Sequence, residues 1–297
     1  MRHAILGPGG VGGLMAACLA KLGNQVTLVV RPETLEQYPH QLQLESPFGN
    51  FTVEIERAVQ VPPADVVWIT VKATQLEDAL RSMPTANGVR AIIPLLNGID
   101  HVALLRSRYD ADRVVPATIA GETERVTPGH IVHRTPFARL QVAASGRELL
   151  SATLDQFQGM GFICHFIEDE ATLLWGKLAL LAPLALTTTA AGATKGQVAN
   201  DPAWGDQFVS CVREACAVGA AEGAHLDVEK GLAALLGLPD GMRSSMQKDV
   251  EQGKPPELDA IGGPILRGGA RHGIPVPTTS SLVSIVEKKS GSRLTLT

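Results

Sequence analysis

The motif G-P-G-G-V-G at residues 7 to 12 places this chain among the α/β proteins. It follows a short apolar run, H-A-I-L at 3 to 6, that reads as a buried strand. It opens an apolar helical stretch that ends at Gly23, and the strand-like run Q-V-T-L-V-V follows at 25 to 30. G-x-G-x-x-G between a strand and a helix is the fingerprint of a dinucleotide-binding turn. The sequence therefore predicts a Rossmann unit at the N-terminus.

Each glycine of the motif has a separate physical role. Gly7 permits the tight turn, Gly9 lets the backbone approach a pyrophosphate, and Gly12 lets the helix pack closely on the strand. The phosphates would meet the unpaired N–H groups at the helix N-terminus. A glycine turn without a ligand is the alternative interpretation. The cofactor-binding residues predicted from the motif are Gly7, Pro8, Gly9, Gly10, Val11 and Gly12.

The rest of the first half continues to alternate strand-like and helix-like segments, which predicts parallel βαβ units. Two period-two segments around S-P-F-G-N read as a hairpin, and residues 114–143 are again strand-rich. The predicted elements are the hairpin strands at 41–45 and 51–56, strands at 65–72 and 90–96 with a helix near 75–83 between them, a helix near 149–160 and a strand at 162–166.

After Glu168 the pattern changes to long helices. We therefore predict an α/β protein with an N-terminal Rossmann NADP-binding domain at 1–166 and an all-helical substrate and catalytic domain at 167–297. The predicted helices lie at 169–187, 203–223, 227–236, 244–252, 258–273 and 279–289.

Composition limits the class of function. The 297 residues are 45% hydrophobic and carry a net charge of −4 without a basic stripe, which argues against a nucleic-acid surface. The four cysteines lack C-x-x-C spacing and read as reduced thiols of a cytoplasmic protein. M-A-A-C at 15–18 resembles a lipoprotein signal, but the preceding glycines disfavour a helical signal core. The apolar run after Lys177 is about a dozen residues, short of the roughly 20 that span a bilayer, so no membrane segment is expected.

The residue that ends the second strand indicates the cofactor. An Asp or Glu there would bind the ribose 2′-hydroxyl of NAD, whereas this chain has Arg31. A guanidinium suits a 2′-phosphate in charge and geometry, which favours NADP in its reduced form, NADPH. Glu33 stands two residues later and could still contact a ribose. The alternative is that Arg31 is a solvated surface charge.

Several further motifs, in order along almost the whole chain, resemble the ketopantoate reductase (2-dehydropantoate 2-reductase) family. After the glycine motif they are V-K-A-T-Q at 71–75, L-N-G-I at 96–99, L-W-G-K-L at 174–178, S-S-M-Q-K-D-V at 244–250, E-L-D-A-I-G-G at 257–263 and H-G-I-P-V-P at 272–277. Their order and spacing together are far more specific than any one of them.

The resemblance implies a Rossmann domain, a helical domain and a substrate cleft between them. It implies reduction of a 2-oxo acid to a 2-hydroxy acid by NADPH, with ketopantoate the first candidate substrate and pantothenate biosynthesis the context. Carried over by position, Lys177 is the general acid, Ser245 a substrate-binding hydroxyl, and Glu257 an acid near the lysine and the cofactor. Lys72 and Asn97 match positions that contact cofactor or substrate.

The chemistry of hydride transfer explains these residue types independently. Hydride addition to a ketone leaves a developing alkoxide, which needs a proton or a fixed positive charge. Burial lowers the pKa of a lysine, and a carboxylate such as Glu257 raises it again. There are simpler interpretations: Lys177 could extend to solvent, Ser245 and Glu257 could be residues favoured at helix starts, and Asn97-Gly98 could be only a turn.

The sequence departs from the family below the lysine. Family members typically carry asparagines four and eight residues after it, on the same helix face, where this chain has Leu181 and Ala185. By the same resemblance, Lys195 stands at the position of a further substrate-side asparagine of the family. A pocket with Leu181 and Ala185 would prefer a more apolar 2-oxo acid, because a buried substrate hydroxyl would lack a partner.

Three hypotheses of function follow. The first is an NADPH-dependent ketopantoate reductase, the second a related 2-oxo acid reductase or 2-hydroxy acid dehydrogenase with a more apolar substrate, and the third a non-catalytic NADP-binding sensor. The expected partner is a small 2-oxo acid, with neither nucleic acid nor membrane; a homodimer is compatible with the sequence. No metal is expected, because His130 and His133 would point to opposite faces of a strand and Cys211 and Cys216 do not converge on a helix.

Overall fold

The computed structural model describes residues 1–85 and 88–294, which form two compact units. One contains Met1–Leu96 and His101–Glu168, and the other contains Asn97–Asp100 and the chain from Asp169 onward. The chain therefore divides two residues after the predicted boundary at 166, and the predicted end of the second domain at 297 lies outside the described residues. The contiguous ranges predicted from sequence did not anticipate that residues 97–100 belong to the second unit.

The first unit contains twelve strands and four helices among its described residues. In chain order they are β1 (Arg2–Leu6), α1 (Gly10–Lys21), β2 (Gln25–Val29), β3 (Gln41–Glu45), β4 (Phe51–Glu54), β5 (Glu56–Ala58), β6 (Val66–Ile69), α2 (Leu76–Ala79), β7 (Ala91–Pro94), α3 (His101–Arg108), β8 (Ala117–Ala120), β9 (Thr123–Thr127), β10 (His130–His133), β11 (Ala138–Ala143), α4 (Arg147–Gly159) and β12 (Phe162–Ile167). The sequence analysis did not predict α3.

A parallel sheet of five strands, in the order β5-β2-β1-β6-β7, holds the glycine motif. β6 and β7 are buried at every position, as expected for parallel strands covered on both faces. The order reverses direction at β1, which is hydrogen-bonded to β2 on one side and to β6 on the other. Open α/β sheets bind their ligands beyond the carboxyl ends of the strands at such a point. The predicted parallel arrangement and Rossmann fold are confirmed for this part of the chain.

Two smaller sheets complete the first unit, in the orders β4-β3-β10-β9 and β12-β11-β8. β3 and β4 pair antiparallel, as the period-two pattern predicts. β10 pairs parallel with β3 and antiparallel with β9, so the second sheet is mixed. The sequence indicated strands in this region but not their partners, because pairing between distant segments leaves no local signal.

The second unit is helical, as predicted. Its helices are α5 (Glu170–Ala191), α6 (Lys195–Asn200), α7 (Pro202–Ala221), α8 (Val228–Leu236), α9 (Ser245–Glu251), α10 (Leu258–His272) and α11 (Pro277–Ser290). α5 is central and packs against α7, α9, α10 and α11. The sequence analysis did not predict the short α6, which begins with a capping box of Thr194 and Gln197.

Helix α5 is longer than the apolar run after Lys177 suggested. It begins at Glu170, about two turns before Lys177, where the carboxylate of Asp169 accepts from the N–H of Thr172, and it ends at Gly192 with φ of 67°. With 22 residues it is long and apolar enough to cross a membrane by length and composition alone. Most of it is buried inside the helical unit, where residues such as Leu178, Ala182 and Leu186 form the core.

Candidate active site

The glycine loop has the geometry that its motif predicts. Gly7 has φ of 95°, and a Cβ there would lie 2.4 Å from Cγ1 of Val71. A Cβ on Gly12 would lie 2.4 Å from both the carbonyl oxygen of Gly7 and Oγ1 of Thr70, so helix and strand touch at this glycine. A Cβ on Gly9 would meet no described atom within 4 Å. The loop is therefore tight at Gly7 and Gly12 and open at Gly9, where a pyrophosphate would approach.

The first turn of α1 offers an electrostatically suitable place for an anion. The first N–H groups of a helix have no intrahelical acceptor and carry the positive end of the dipole. The N-cap residue of α1 is Gly9, which has no side chain to accept from the first N–H groups of the helix. No acidic residue lies in the first turn of α1. The N-terminus of α1 can therefore accept phosphate oxygens.

Two other predicted cofactor residues lie after neighbouring strands of the same sheet. The hydroxyl of Thr70, just beyond β6, donates to the carbonyl of Gly7 over 2.7 Å. This bond holds the segment that leads to Lys72 against the loop. Arg31 follows β2, and its guanidinium lies 3.4 Å from the carboxylate of Glu33, with both side chains largely exposed. The structure thus brings Arg31 and Lys72 to the edge of the sheet that carries the loop.

A second group of predicted residues meets inside the helical unit. Nζ of Lys177 donates to Oδ1 of Asn97 over 3.1 Å, and Nδ2 of Asn97 donates to Oε2 of Glu257 over 3.0 Å. One amide therefore connects an ammonium to a carboxylate, and its two ends are matched to the two charges. The sequence predicted these three residues separately but not that Asn97 bridges the other two.

The surroundings tune the acidity of the lysine. Burial lowers the pKa of Lys177 from 10.5 to about 8, and the charge of Glu257 opposes part of that shift. The ammonium still predominates at neutral pH, yet it gives up its proton far more readily than an exposed lysine. Glu257 is itself buried, directly before the first residue of α10. Asn97, Lys177 and Glu257 lie far apart in the sequence and thus form one hydrogen-bonded group.

The segment 97–100 is held in place by α10. Gly98 has φ of 83°, and a Cβ there would lie 2.4 Å from the carbonyl oxygen of Ala260. Pro264 lacks the N–H that would bond this carbonyl within the helix. Arg267 donates to Asp100 over 2.6 Å and to Asp259 over 2.7 Å. These contacts explain why the segment belongs to the helical unit and how Asn97 is oriented.

The residues expected on the substrate side lie farther along α5. Leu181 is half-buried and Ala185 is buried, one and two turns beyond Lys177. Near the end of the helix, Oγ of Ser244 lies 3.0 Å from Oγ1 of Thr188 and accepts from the N–H of Gln247, so Ser244 caps α9. Ser245 is the first residue of α9 and is exposed. The capping alternative therefore applies to Ser244, and Ser245 remains available for a ligand.

Lys195 has other partners. Its ammonium is buried and donates to the carboxylate of Asp240 over 2.7 Å and to the carbonyl of Leu236 over 3.0 Å. It lies at the start of α6, beyond the end of α5, whereas Lys177 lies near the other end of that helix. The structure does not bring Lys195 to the Lys177 group. Its substrate-binding role stays a prediction.

The remaining candidates do not form a metal site. Among residues 1–85 and 88–294, no three His, Cys, Asp or Glu side chains are grouped to hold an ion. His133 is buried against Ser46 and Thr135, while His130 bonds Glu45, so these two histidines have different partners. All four cysteines are buried, free thiols.

Sequence reasoning missed residues that support both groups. Arg267 belongs to none of the motifs that the sequence analysis singled out. Thr123 and Arg125 lie in a strand-rich region without any local functional signal. Nη1 of Arg125 donates to the carbonyl of Pro8 over 3.2 Å, within the glycine loop. The extra glycines of the loop, Gly10 and Gly13, were the available sign that another segment approaches it.

The comparisons with known proteins match both halves of the chain. The sequence model of ketopantoate reductase PanE/ApbA matches residues 3–145, and that of the ketopantoate reductase PanE/ApbA C-terminal domain matches residues 171–290. The 2-dehydropantoate 2-reductase of Caulobacter vibrioides is 31% identical over 294 residues, covering 95% of this chain and 97% of that protein. That of Vibrio cholerae is 28% identical over 300 residues, covering 95% of each.

Solved structures agree over the full length. A PanE/ApbA family ketopantoate reductase from Ralstonia eutropha superposes with a TM-score of 0.86 at 26% identity, covering 98% of this chain and 99% of that one. A D-mandelate dehydrogenase, solved with NADH and anilino(oxo)acetate, superposes with a TM-score of 0.85 at 21% identity and the same coverage, which shows a shared fold.

A Rossmann unit with a glycine loop, joined to a helical unit with a partly buried lysine, defines a pyridine nucleotide-dependent oxidoreductase class. The chain belongs to the ketopantoate reductase family within it, and it is an oxidoreductase of the 2-dehydropantoate 2-reductase type. The resemblance inferred from the motifs is confirmed.

Proposed function

We propose that this chain transfers hydride from NADPH to the carbonyl carbon of a 2-oxo acid, with Lys177 as the general acid. The dinucleotide would bind the glycine loop of the first unit, and the 2-oxo acid would bind at Lys177 in the second. The observation that carries the proposal is the chain of hydrogen bonds from Lys177 through Asn97 to Glu257. A lysine needed only for packing would not require two polar partners in series.

The geometry suits proton donation to an alkoxide. An ammonium has three N–H donors, of which Asn97 takes one, so the group can donate to a substrate oxygen without losing its anchor. A pKa near the working pH is the optimum for general acid catalysis, and burial brings that of Lys177 to about 8. The charge of Glu257 raises the pKa of Lys177 and so keeps more of the lysine in its ammonium form.

The substrate carboxylate needs donors of its own. We assign Ser245 to this role in the helical unit, because its hydroxyl is exposed at the first residue of α9 while Ser244 already serves as the cap. Glu257 would also lie near the cofactor, and Lys72 would contact cofactor or substrate; both roles are carried over from family positions.

Two substrate classes fit this site to different degrees. 2-Dehydropantoate carries a hydroxyl that amides would hold, and the family name makes it the first candidate. Leu181 and Ala185 offer no hydrogen bond at the family's asparagine positions, which favours a 2-oxo acid with an aliphatic or aromatic side chain. This absence is the observation behind the second candidate.

A substrate panel tests both candidates. Purified protein is mixed with NADPH and 2-dehydropantoate, 2-oxoisovalerate or phenylglyoxylate, and NADPH oxidation is followed. We expect turnover with at least one of them, and the apolar candidate predicts a higher kcat/KM for the two apolar acids. Efficient turnover of 2-dehydropantoate alone would reject the apolar candidate. Dinucleotide binding without turnover of any 2-oxo acid would instead support a non-catalytic sensor.

The general acid is tested with a matched pair of lysine variants. Lys177→Ala should lower kcat by about a thousandfold or more, since both proton and positive charge are lost, while NADPH binding stays within about twofold. Lys230→Ala removes an exposed lysine of α8 in the same unit and should leave both unchanged. Near-normal turnover of Lys177→Ala would remove Lys177 from the mechanism.

The preference for NADPH is assigned to Arg31, which follows β2 next to the loop. Its neighbour Glu33 lies 3.4 Å away and would repel a 2′-phosphate. Arg31→Ala should therefore weaken NADPH binding about tenfold and NADH binding little, whereas Glu33→Gln should strengthen NADPH binding. Dissociation constants from titration calorimetry check both, and equal losses for the two dinucleotides in Arg31→Ala would show that Arg31 does not read the 2′-phosphate.

A further inference from the structure

Two glycines in the loop region fall outside the three that the fingerprint requires, and the structure explains them. A Cβ on Gly10 would lie 2.6 Å from the carbonyl oxygen of Thr123, and a Cβ on Gly13 would lie 2.3 Å from Cδ1 of Ile131. Thr123 belongs to β9 and Ile131 to β10. The β9–β10 hairpin therefore rests directly on the start of α1, and only glycine permits so close an approach.

The register of this hairpin directs Arg125 toward the same place. Arg125 lies opposite Ile131, and side chains directly opposite in an antiparallel pair share a face of the sheet. Thr123 precedes Arg125 by two residues and so also shares that face. Both Thr123 and Ile131 contact the first turns of α1. The side chain of Arg125 therefore extends over the N-terminal end of α1, just where the pairing shifts at a bulge between His130 and Ile131.

The guanidinium reaches the glycine loop itself. Nη1 of Arg125 donates to the carbonyl oxygen of Pro8 over 3.2 Å. A guanidinium has five N–H donors, so one bond to the loop leaves others for a ligand. Pro8 is followed by Gly9, whose missing side chain leaves open space at the position where the loop admits a pyrophosphate. A positive charge is thus attached to the loop beside its open glycine.

We propose that Arg125 is a binding residue for the pyrophosphate of the dinucleotide. The assignment rests on the proposed function, since it requires that the loop hold a dinucleotide. Arg125 contacts the loop at Pro8, whereas Arg31 follows the end of β2, so the two arginines serve different phosphates. The bond to Pro8 orients the guanidinium, and the remaining N–H groups donate to phosphate oxygens in the planar geometry that arginine favours.

Ligands that separate the two phosphate sites test the assignment. ADP-ribose carries the pyrophosphate without a 2′-phosphate, and adenosine 2′-monophosphate carries the 2′-phosphate without a pyrophosphate. By titration calorimetry on the full chain, Arg125→Gln should bind ADP-ribose about tenfold or more weakly and adenosine 2′-monophosphate within about twofold, the loss typical of one charge-assisted hydrogen bond. Arg31→Ala should show the reverse pattern. NADH and NADPH binding should both weaken in Arg125→Gln.

A matched control lies on the same hairpin. Arg134 bonds Glu124 over 2.6 Å, so Arg134→Gln removes the same charge without touching the loop, and it should leave ADP-ribose binding unchanged. Arg125→Lys keeps the charge without the planar guanidinium, and its affinity for ADP-ribose should lie between those of the wild type and Arg125→Gln. Thermal unfolding of each variant shows whether the fold is intact.

The outcomes distinguish this inference from the proposal on which it rests. If the wild type binds ADP-ribose and Arg125→Gln binds it equally well, the role of Arg125 is rejected while dinucleotide binding stands. A loss confined to adenosine 2′-monophosphate would reject the pyrophosphate assignment. If the folded wild type binds neither ADP-ribose nor NADPH, the proposed function fails and Arg125 loses its ligand with it.

Discussion

At the scale of single residues, the amide of Asn97 joins Lys177 to Glu257. Its oxygen accepts from Lys177 and its nitrogen donates to Glu257, so it separates two opposite charges that would otherwise pair directly. A direct ion pair would tie up the ammonium in the resting protein. An intervening amide keeps the carboxylate close enough to influence the lysine pKa and leaves N–H groups for a substrate.

The pH dependence of turnover should report this arrangement. In the proposed mechanism reduction needs the ammonium form of Lys177, so kcat/KM should fall as the pH rises through about 8. Glu257 raises this pKa by its charge, and Glu257→Gln should therefore move the falling limb to lower pH. Glu229→Gln removes an exposed carboxylate of α8 in the same unit and should leave the limb in place. A limb that does not move in Glu257→Gln would show that Glu257 does not act on the lysine.

At the scale of elements, packing and ion pairs fix the segment 97–100 against α10. Pro264 leaves the carbonyl of Ala260 without its helical N–H, and Gly98 packs against that carbonyl. Arg267 joins Asp100 of the segment to Asp259 of the helix. Glu257 immediately precedes the same helix, so α10 positions both partners of the lysine.

Gly98→Ala should therefore impair catalysis as well as stability. The left-handed backbone would cost the alanine about 1 kcal/mol, and its Cβ would collide with the carbonyl of Ala260 and displace Asn97. We expect a loss of about 2–3 kcal/mol in unfolding free energy and a tenfold or larger fall in kcat. Gly273, at the end of α10, also has a left-handed backbone, with φ of 65°. Gly273→Ala would place no described atom within 4 Å of the added Cβ.

That control should lose about 1 kcal/mol and keep its kcat, as urea unfolding and steady-state kinetics would show. Equal effects of the two substitutions on kcat would contradict a positioning role for Gly98. Normal activity with reduced stability would limit Gly98 to a purely structural role.

At the scale of the whole molecule, a buried histidine makes stability depend on pH. His3 lies in β1, fully buried, and its Nδ1 accepts from Nε1 of Trp68 over 3.1 Å. Burial lowers the pKa of His3 from 6.5 to about 4, with the positive N-terminus contributing in the same direction. Between these two pH values the unfolded chain binds a proton that the folded chain does not, so stability falls as the pH falls.

We expect His3 to account for about 2 kcal/mol of lost unfolding free energy between pH 7 and pH 5. His3→Asn keeps an acceptor for Trp68 and should remove most of that dependence. His165→Asn replaces an exposed histidine on β12 of the same unit and should retain it. Urea unfolding at the two pH values measures both, and an unchanged pH dependence in His3→Asn would show that other groups dominate.

Local signals in the sequence were sufficient for much of the fold and for the family. G-P-G-G-V-G between two apolar runs specified the first βαβ unit, because tight turn, open approach and close packing each demand glycine at a known spacing. Period-two and helical patterns located most strands and helices after residue 25. The order of the motifs around Lys177, Ser245 and Glu257 identified the family.

Only the tertiary structure decided what those residues touch. The bridge through Asn97, the anchoring of Asp100 by Arg267 and the contact of Arg125 with Pro8 each join segments separated by about 80 to 170 positions. Lys195 likewise has partners that no motif indicated, since its ammonium donates to the carboxylate of Asp240 and the carbonyl of Leu236. Periodicity and turn chemistry act over a few residues and are written in the sequence, whereas hydrogen bonds between distant segments depend on strand pairing and helix packing that no local pattern encodes.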